Sequence, residues 1–245
     1  MEEALIRVKD LCKIYNPGEN EVRALDHINL EINKGEFVAI IGQSGSGKST
    51  FMNMLGCLDV PTSGEYFLNG TDVSTMEDNE LSEVRNREIG FIFQGFNLIS
   101  NLTAIENVEL PLVYRGVDRK TRHKLAVESL TMVGLEKRMD HRPNEMSGGQ
   151  QQRIAIARAI VNEPKVLLLD EPLGALDLKL RQDMQYELIR LKNELGITFI
   201  YVTHDQEEAL TMSDTIVVMD KGCIQQIGTP EDIYNEPKNA FVADF

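Results

Sequence analysis

The sequence contains few residues of several types, and each shortage bears on the class of protein. Its 245 residues include no tryptophan and only three cysteines. Cys12, Cys57 and Cys223 are far apart in the chain, and none belongs to a C-x-x-C pair. We interpret them as small buried apolar side chains, with a redox or metal-binding role as the alternative.

Positive charge and long apolar runs are also scarce. The chain has 25 Lys and Arg against 39 Asp and Glu, a net charge of −14, which argues against a general nucleic-acid-binding protein. No apolar run approaches the length of a membrane span, and Met1 to Ala4 lacks the basic start and apolar core of a signal peptide. We therefore expect a cytoplasmic protein with no nucleic-acid partner, held at a membrane, if it works there, by another protein.

The stretch Gly42 to Ser49 fits the pattern G-x-x-x-x-G-K-[ST] of a phosphate-binding P-loop. The apolar run 37–41 before it predicts a buried parallel strand, and 50–58 after it predicts a helix. Glycines let the backbone approach phosphate oxygens, and the helix N-terminus adds positive potential. We expect Lys48 to contact the β- and γ-phosphates and the Ser49 hydroxyl to bind Mg²⁺.

A second apolar run, 166–169, ends in the adjacent carboxylates Asp170 and Glu171. Open α/β sheets bind ligands beyond the carboxyl ends of their strands. Asp170 fits the carboxylate that holds Mg²⁺. Glu171 is placed to orient or deprotonate an attacking water.

Two glycines occupy an unusual place between Ser147 and Gln150, which have capping-box spacing at a helix start. A glycine within a helix costs about 1 kcal/mol relative to alanine. We expect Gly148 and Gly149 to lie at an exposed helix N-terminus, where an anionic group can approach the backbone.

Three further side chains have open interpretations. His204 follows the predicted strand 197–202 and is either structural or a sensor of the γ-phosphate. Tyr15 precedes the turn at 16–20 and either packs or stacks on a base. Gln94 ends the predicted strand 89–94 and is either a polar loop residue or a ligand of Mg²⁺ or water.

Over the whole chain these motifs resemble the ATPase subunit of ATP-binding-cassette (ABC) transporters. The specific element is Ser147-Gly148-Gly149-Gln150, which resembles the ABC signature, with Met146 in place of its usual leucine. Residues 173–177 resemble the D-loop, Gln94 the Q-loop, His204 the switch histidine and Tyr15 the adenine-stacking aromatic.

The resemblance implies an α/β fold: a P-loop NTPase core with an antiparallel β subdomain and an inserted helical subdomain. The expected boundaries are 1–95 for the first part of the core, 96–161 for the helical subdomain and 162–245 for the second part. It also implies a head-to-tail dimer, either a homodimer or a pair with another ATPase subunit, that binds ATP and Mg²⁺ and powers a transmembrane permease. The expected catalytic residues are Glu171, His204, Lys48 and Gln94; the nucleotide-binding residues Tyr15, Gly42, Ser44, Gly45, Ser46, Gly47, Lys48, Ser49, Thr50, Ser147, Gly148, Gly149, Gln150 and Asp177; the Mg²⁺ ligands Ser49, Gln94 and Asp170.

The two parts of the chain resemble different subfamilies. Residues up to about 155 are similar to macrolide-exporter and lipoprotein-release ATPases, and those from about 163 onward to polyamine-importer ATPases. This predicts a mosaic sequence. The alternatives are an ABC ATPase of a non-transport membrane complex, such as the cell-division type, and a soluble ABC protein of DNA repair or translation. The last type is expected to carry a long coiled coil or two cassettes, and the sequence predicts neither.

Overall fold

The computed structural model describes residues 4–18, 20–174 and 176–244. Some predictions include residues outside this range, and for those residues they are not addressed by the structure. The residues are Met1 to Glu3, Glu19, Ala175 of the D-loop and Phe245. In the described part of the chain the strands are β1 (Ile6–Tyr15), β2 (Val22–Ile32), β3 (Phe37–Gly42), β4 (Ser63–Leu68), β5 (Thr71–Asp72), β6 (Ile89–Ile92), β7 (Val166–Asp170), β8 (Thr198–Val202), β9 (Thr215–Asp220) and β10 (Cys223–Gly228). The helices are α1 (Lys48–Leu55), α2 (Asp78–Glu88), α3 (Ala104–Tyr114), α4 (Arg119–Met132), α5 (Gly148–Ile160), α6 (Leu178–Leu195), α7 (Gln206–Met212), α8 (Pro230–Asn235) and α9 (Ala240–Ala243), with a 3₁₀ turn at Pro143–Glu145.

The predicted elements are found, with differences at their ends. The helix expected over 50–58 is α1, which begins earlier, at Lys48, and stops at Leu55 before Gly56. The strand expected over 89–94 ends at Ile92, so Gln94 lies in the turn that follows and is exposed. The sequence pattern does not predict β5, β10 or α9, because β10 carries polar residues at its centre and the other two are very short.

The chain divides into two compact units. The first consists of the described residues up to Ser82 and from Leu191 onward, and the second runs from Glu83 to Arg190. The domain boundaries expected from the sequence at 95/96 and 161/162 remain predictions.

The first unit contains two sheets. One is antiparallel, in the order β2-β1-β4-β5, as expected for the antiparallel β subdomain that the resemblance implied. In the other, the strands of this unit follow the order β10-β9-β3-β8, with β3 parallel to both β8 and β9. All six residues of β3 are buried, as expected for a strand with parallel neighbours on both sides.

The second unit combines a parallel pair of strands, β6 and β7, with helices α3, α4 and α5. The first four residues of β7 are buried and Asp170 is half-buried, so the strand delivers its acid at the edge of the core. Gly90 in β6 lies against α5: a Cβ there would lie 2.5 Å from the Ala159 carbonyl oxygen.

Two expectations from composition can be compared with the fold. Among the described residues, no helix has both the length and the apolar character needed to cross a lipid bilayer. Cys12 and Cys57 are buried free thiols, as predicted, whereas Cys223 is only partly buried.

Candidate functional site

The P-loop joins the end of β3 to the start of α1, the context that the motif requires. Gly47 precedes the helix with a left-handed backbone (φ 100°), and a Cβ at this position would lie 2.5 Å from the Ala24 carbonyl oxygen. Only glycine fits such a position without strain. Among the described residues no side chain caps the N-terminus of α1, so its first N–H groups suit an anionic ligand.

Lys48, the first residue of α1, is buried beneath the loop. Its Nζ donates hydrogen bonds to the carbonyl oxygens of Gly42 at 2.7 Å and Gln43 at 2.9 Å. The ammonium therefore holds the two ends of the loop together and lies where it can also neutralise phosphate charge.

The loop hydroxyls occupy different environments. Ser46 is buried, and within the described part of the chain its Oγ has no hydrogen-bond partner. Ser44, Gly45 and Ser49 are exposed, and Thr50 is half-buried. The exposed Ser49 hydroxyl at the start of α1 is an oxygen donor of the kind that Mg²⁺ prefers.

His204 lies beside the P-loop in the first unit. β3 and β8 are parallel, with Ile40 paired with Val202. Both strands therefore end at the same edge of the sheet, β3 with Gly42 and β8 just before His204. His204 is exposed. The strand pairing therefore places the histidine at the phosphate edge, as its position after the strand predicted.

A buried acid four residues after His204 was not predicted from the sequence as a site residue. Glu208 in α7 is 4% exposed, and one of its oxygens accepts hydrogen bonds from the Tyr201 hydroxyl at 2.7 Å and the Thr203 hydroxyl at 2.8 Å. These bonds tie α7 to the end of β8 and fix the turn that carries His204. The sequence offered one indication of this burial: Glu208 lies on the same face of the short helix α7 as the apolar residues Ala209 and Met212.

Tyr15 lies at the end of β1, and its hydroxyl donates to Asp59 at 3.0 Å. Lys13 Nζ lies 5.0 Å from the ring centroid and 2.7 Å from Asp59. The pKa of Tyr15 is raised, first by burial and then by the Asp59 carboxylate. A hydrogen bond with Thr50 at the P-loop helix acts in the opposite direction. These contacts fix the Tyr15 ring beside the P-loop helix. The ammonium of Lys13 lies over the ring.

In the second unit, Asp170 and Glu171 stand at the carboxyl end of β7. Glu171 has a left-handed backbone (φ 43°), a conformation that costs a non-glycine residue about 1–3 kcal/mol and that clusters at functional sites. Gln94 Nε2 donates to Glu171 Oε2 at 3.3 Å. The two sequence motifs that contain these residues therefore meet in one polar contact.

The turn before α5 has its predicted capping box. The backbone N–H of Gln150 donates to Ser147 Oγ at 3.4 Å, and that of Ser147 donates to Gln150 Oε1 at 3.0 Å. Gly148 is exposed as expected, but the expectation is wrong for Gly149, which is buried. A Cβ at Gly149 would lie 2.8 Å from Leu180 Cδ1, so close packing explains this glycine.

Asp177, expected in the D-loop, directly precedes α6. Its Oδ1 accepts a hydrogen bond from the Leu180 N–H at 3.0 Å, which is the action of an N-cap. The carboxylate thus has a complete structural explanation in addition to any role at a nucleotide.

Comparison with known proteins agrees with this geometry. The family model described as ABC transporter matches residues 25–174. The chain belongs to this family. The ABC family membership confirms the predicted α/β fold and the ATPase activity, so the chain is an ATP-binding and ATP-hydrolysing cassette.

Individual relatives are close to this ABC protein. The chain is 51% identical to the spermidine/putrescine import ATP-binding protein PotA of Clostridium novyi (strain NT), over 100% of this chain and 68% of that protein. It is 47% identical to the macrolide export ATP-binding/permease protein MacB of Vibrio parahaemolyticus serotype O3:K6, over 96% of this chain and 36% of that protein. The structure is similar to the dimeric post-hydrolysis structure of the ATP-binding cassette MJ0796 bound to ADP and Pi, with TM-score 0.82 and 43% identity over 92% of this chain and 98% of that one.

Proposed function

We propose that the chain hydrolyses MgATP, with roles for the P-loop and for the acidic residues at the carboxyl end of β7. Residues 42–50 hold the phosphates, with Lys48 as the charged contact, and Tyr15 stacks on the adenine. Ser49, Gln94 and Asp170 supply oxygen ligands suited to Mg²⁺, which when bound would neutralise charge on the phosphates. Glu171 acts as general base and His204 contacts the γ-phosphate.

The observation that carries the proposal is the backbone of Glu171. A strained residue directly after a buried strand persists only where the surrounding structure enforces it. Here the strained residue carries the carboxylate that we propose as the general base. In the reaction a water oxygen attacks the γ-phosphorus, the bond to the bridging oxygen of ADP breaks, and the proton of the water passes to Glu171. Gln94, at 3.3 Å from the carboxylate, orients it.

We also propose that two cassettes close around ATP in head-to-tail orientation. In such a dimer the α5 N-terminus at Ser147 and Gly148 of one copy faces the γ-phosphate held by the P-loop of the other. The exposed position of Gly148 and Ser147 supports this arrangement. The dimeric form of the MJ0796 cassette supports it too.

The membrane partner we propose is a transmembrane permease that holds the cassette at the inner face of the cell membrane. Because the relatives named for spermidine/putrescine import align over the whole chain, a polyamine importer is the first candidate. Macrolide export is the second, because MacB of Vibrio parahaemolyticus is nearly as similar. The mosaic origin of the sequence remains a prediction. ATPase stimulation by each type of permease in proteoliposomes separates the two.

Substitution of the base tests the mechanism. We expect Glu171→Gln to retain ATP binding and lose about 10²–10⁴-fold in hydrolysis rate. With hydrolysis blocked, ATP should hold two chains together, so size-exclusion chromatography in MgATP should show a dimer. Lys48→Ala is the matched control, because it should lose ATP affinity and remain monomeric. A Glu171→Gln protein that hydrolyses ATP at the parental rate would contradict the assignment of the base, and one that stays monomeric would contradict the ATP sandwich.

A further inference from the structure

Three side chains that can bind a metal converge in the first unit, apart from the P-loop. Cys12 lies in β1, and Asp26 and His27 lie in the neighbouring strand β2. Their ligand atoms all lie within 4.8 Å of one another. Cys12 is buried, Asp26 half-buried and His27 exposed, so the group has a buried soft donor and a solvent-accessible entrance.

The imidazole of His27 is held by a second carboxylate. Its Nδ1 lies 2.6 Å from Asp10 Oδ1, whereas its Nε2 faces Asp26 Oδ1 at 3.7 Å. Metal-binding histidines commonly hydrogen-bond through their other nitrogen to a carboxylate, which fixes the tautomer and the ring orientation. Asp10 is thus placed to present Nε2 to a metal.

The backbone at this cluster is strained at two non-glycine residues. Asp10 has φ 53° and His27 has φ 52°, both left-handed, and the pairing of β1 with β2 shifts register between Val8 and Leu11. Bulges of this kind redirect side chains next to functional sites. An exposed Asp–His ion pair contributes little to stability. The bend is also held by hydrogen bonds from the Asp10 N–H to Asn29 Oδ1 at 3.0 Å and from the His27 N–H to Cys12 Sγ at 3.3 Å, and the second of these keeps the thiol beside His27.

The surroundings of the cluster are predominantly acidic. Cys223, at the start of β10, has Asp26, Asp220 and Cys12 as electrostatic neighbours, and its Sγ lies 3.7 Å from the Asp26 carbonyl oxygen. Two cations lie near these acids: Arg23 Nη1 is 3.7 Å from Asp26 Oδ1 and its Nε is 2.9 Å from Glu21 Oε1, while Lys221 Nζ is 3.9 Å from Asp220 Oδ2. A divalent cation bound between Asp26 and His27 would replace two long contacts of Asp26 Oδ1, those with Arg23 and with His27 Nε2, both at 3.7 Å.

We propose that Cys12, Asp26 and His27 form a binding site for a thiophilic divalent cation of the Zn²⁺ class. The ligands are Cys12 Sγ, His27 Nε2 and one oxygen of Asp26, with water in the fourth position and Asp10 behind the imidazole. Thiolate and imidazole donors select Zn²⁺ over Mg²⁺ or Ca²⁺, which prefer oxygen alone. The odd, widely spaced cysteines of the sequence thus include a ligand that only the fold reveals.

The site is connected to the P-loop through the main chain. The Asp26 N–H donates to the Gly222 carbonyl oxygen at 2.9 Å, and the Gly222 N–H donates to the Ser46 carbonyl oxygen at 3.0 Å. A metal that fixes Asp26 therefore stiffens a chain of two hydrogen bonds that ends in the loop. This coupling rests on the proposed nucleotide site, whereas metal binding itself does not.

Metal binding is measured on the whole chain without nucleotide. We expect about one Zn²⁺ per chain after dialysis, and a Co²⁺-substituted protein with the absorption of a thiolate ligand. His27→Asn should abolish this binding and keep the fold, since asparagine tolerates a left-handed backbone. Cys12→Ser should abolish the thiolate absorption, and Asp10→Asn should weaken binding by about 10–100-fold.

Cys57→Ala is the matched control, because Cys57 is also a buried thiol but lies outside the cluster. Equal loss in Cys57→Ala and Cys12→Ser, or no bound metal in the parent, overturns the site. Hydrogen exchange tests the coupling: with Zn²⁺ present, the amides of Asp26 and Gly222 should exchange more slowly in the parent and not in His27→Asn. Unchanged exchange in a protein that binds Zn²⁺ overturns the coupling and leaves the nucleotide site untouched.

Discussion

Two glycine-rich turns each open a helix in this protein, and they are stabilised in opposite ways. The P-loop before α1 uses a left-handed Gly47, and among the described residues no side chain caps that helix. The turn before α5 has a complete capping box between Ser147 and Gln150. One turn has no side-chain cap among the described residues, while the other satisfies the N–H groups of Ser147 and Gln150 with its own side chains. The same residue type, glycine, therefore serves backbone conformation in the first and packing in the second.

The largest effect we expect from breaking this contrast comes from Gly47→Ala. Alanine at φ 100° is strained, and its Cβ would lie 2.5 Å from the Ala24 carbonyl oxygen. A distortion of about 1.5–3 kcal/mol at the loop would lower ATP affinity about tenfold to a hundredfold, measured by calorimetry. Gly45→Ala is the control, because φ there is also positive (79°) but a Cβ would meet nothing within 4 Å. Equal effects of the two substitutions would mean that close approach at Gly47 is unimportant.

An intermediate effect is expected in the turn before α5. Gly149→Ala places a methyl group 2.8 Å from Leu180 Cδ1. Because Leu180 is half-buried and the end of its side chain can shift, we expect a loss at the lower end of the about 1–3 kcal/mol of unfolding free energy that overpacking typically costs. Gly148→Ala meets only Leu176 Cδ2, at 3.7 Å, and should stabilise the helix by up to about 1 kcal/mol. Denaturant unfolding measures both. A double variant, Gly149→Ala with Leu180→Ala, should recover part of the loss, and if it does not, packing is not the reason for Gly149.

The substitutions at Gly148 and Gly149 also distinguish a packing role from a role in ATP binding. If Gly148 faces a γ-phosphate across a dimer, Gly148→Ala should reduce ATP-induced dimerisation in the Glu171→Gln background while the chain remains at least as stable as before. The two neighbouring glycines would then be distinguished by opposite readouts.

The smallest effect concerns the segment beyond the far end of α1. Burial raises the pKa of Asp59, but hydrogen bonds from Lys13, the Val60 N–H and Tyr15 outweigh it, and the net pKa is lowered. A carboxylate with a lowered folded-state pKa stabilises the protein above its unfolded pKa, and that contribution is lost as the pH falls through the folded value. The stability difference between the parent and Asp59→Asn should therefore be present at neutral pH and decrease below about pH 4, from at most about 1 kcal/mol. A difference independent of pH would contradict the role of the charge.

The sequence allowed prediction of the features that depend on local pattern. The strand–loop–helix context of Lys48, the acids after β7 and the capping box at Ser147 all follow from periodicity and short-range spacing. The buried contact of Gly149 with Leu180 did not, because it joins two helices distant in the sequence. Glu208 and its partners were missed for a similar reason. Its burial depends on the packing of α7 against β8, and that packing is known only from the fold.

The cluster around His27 shows the same limit more clearly. Cys12 and Cys223 are separated by most of the chain, and their nearness depends on how β1, β2 and β10 are arranged. The left-handed residues Asp10 and His27 give no signal in composition or periodicity, because neither is a glycine. Register shifts within paired strands are decided by tertiary packing, and sequence patterns do not specify them.

The backbone of Glu171 has a consequence for engineering. At φ 43° glycine or asparagine would have less backbone strain than glutamate. A directed-evolution experiment that selects for heat resistance alone would therefore tend to replace this residue. Under the proposed mechanism, the selected variants would be more stable but would lack the general base for ATP hydrolysis. Position 171 is therefore one where thermal robustness and turnover select opposite residues, and any library built on this scaffold needs both assays at that codon.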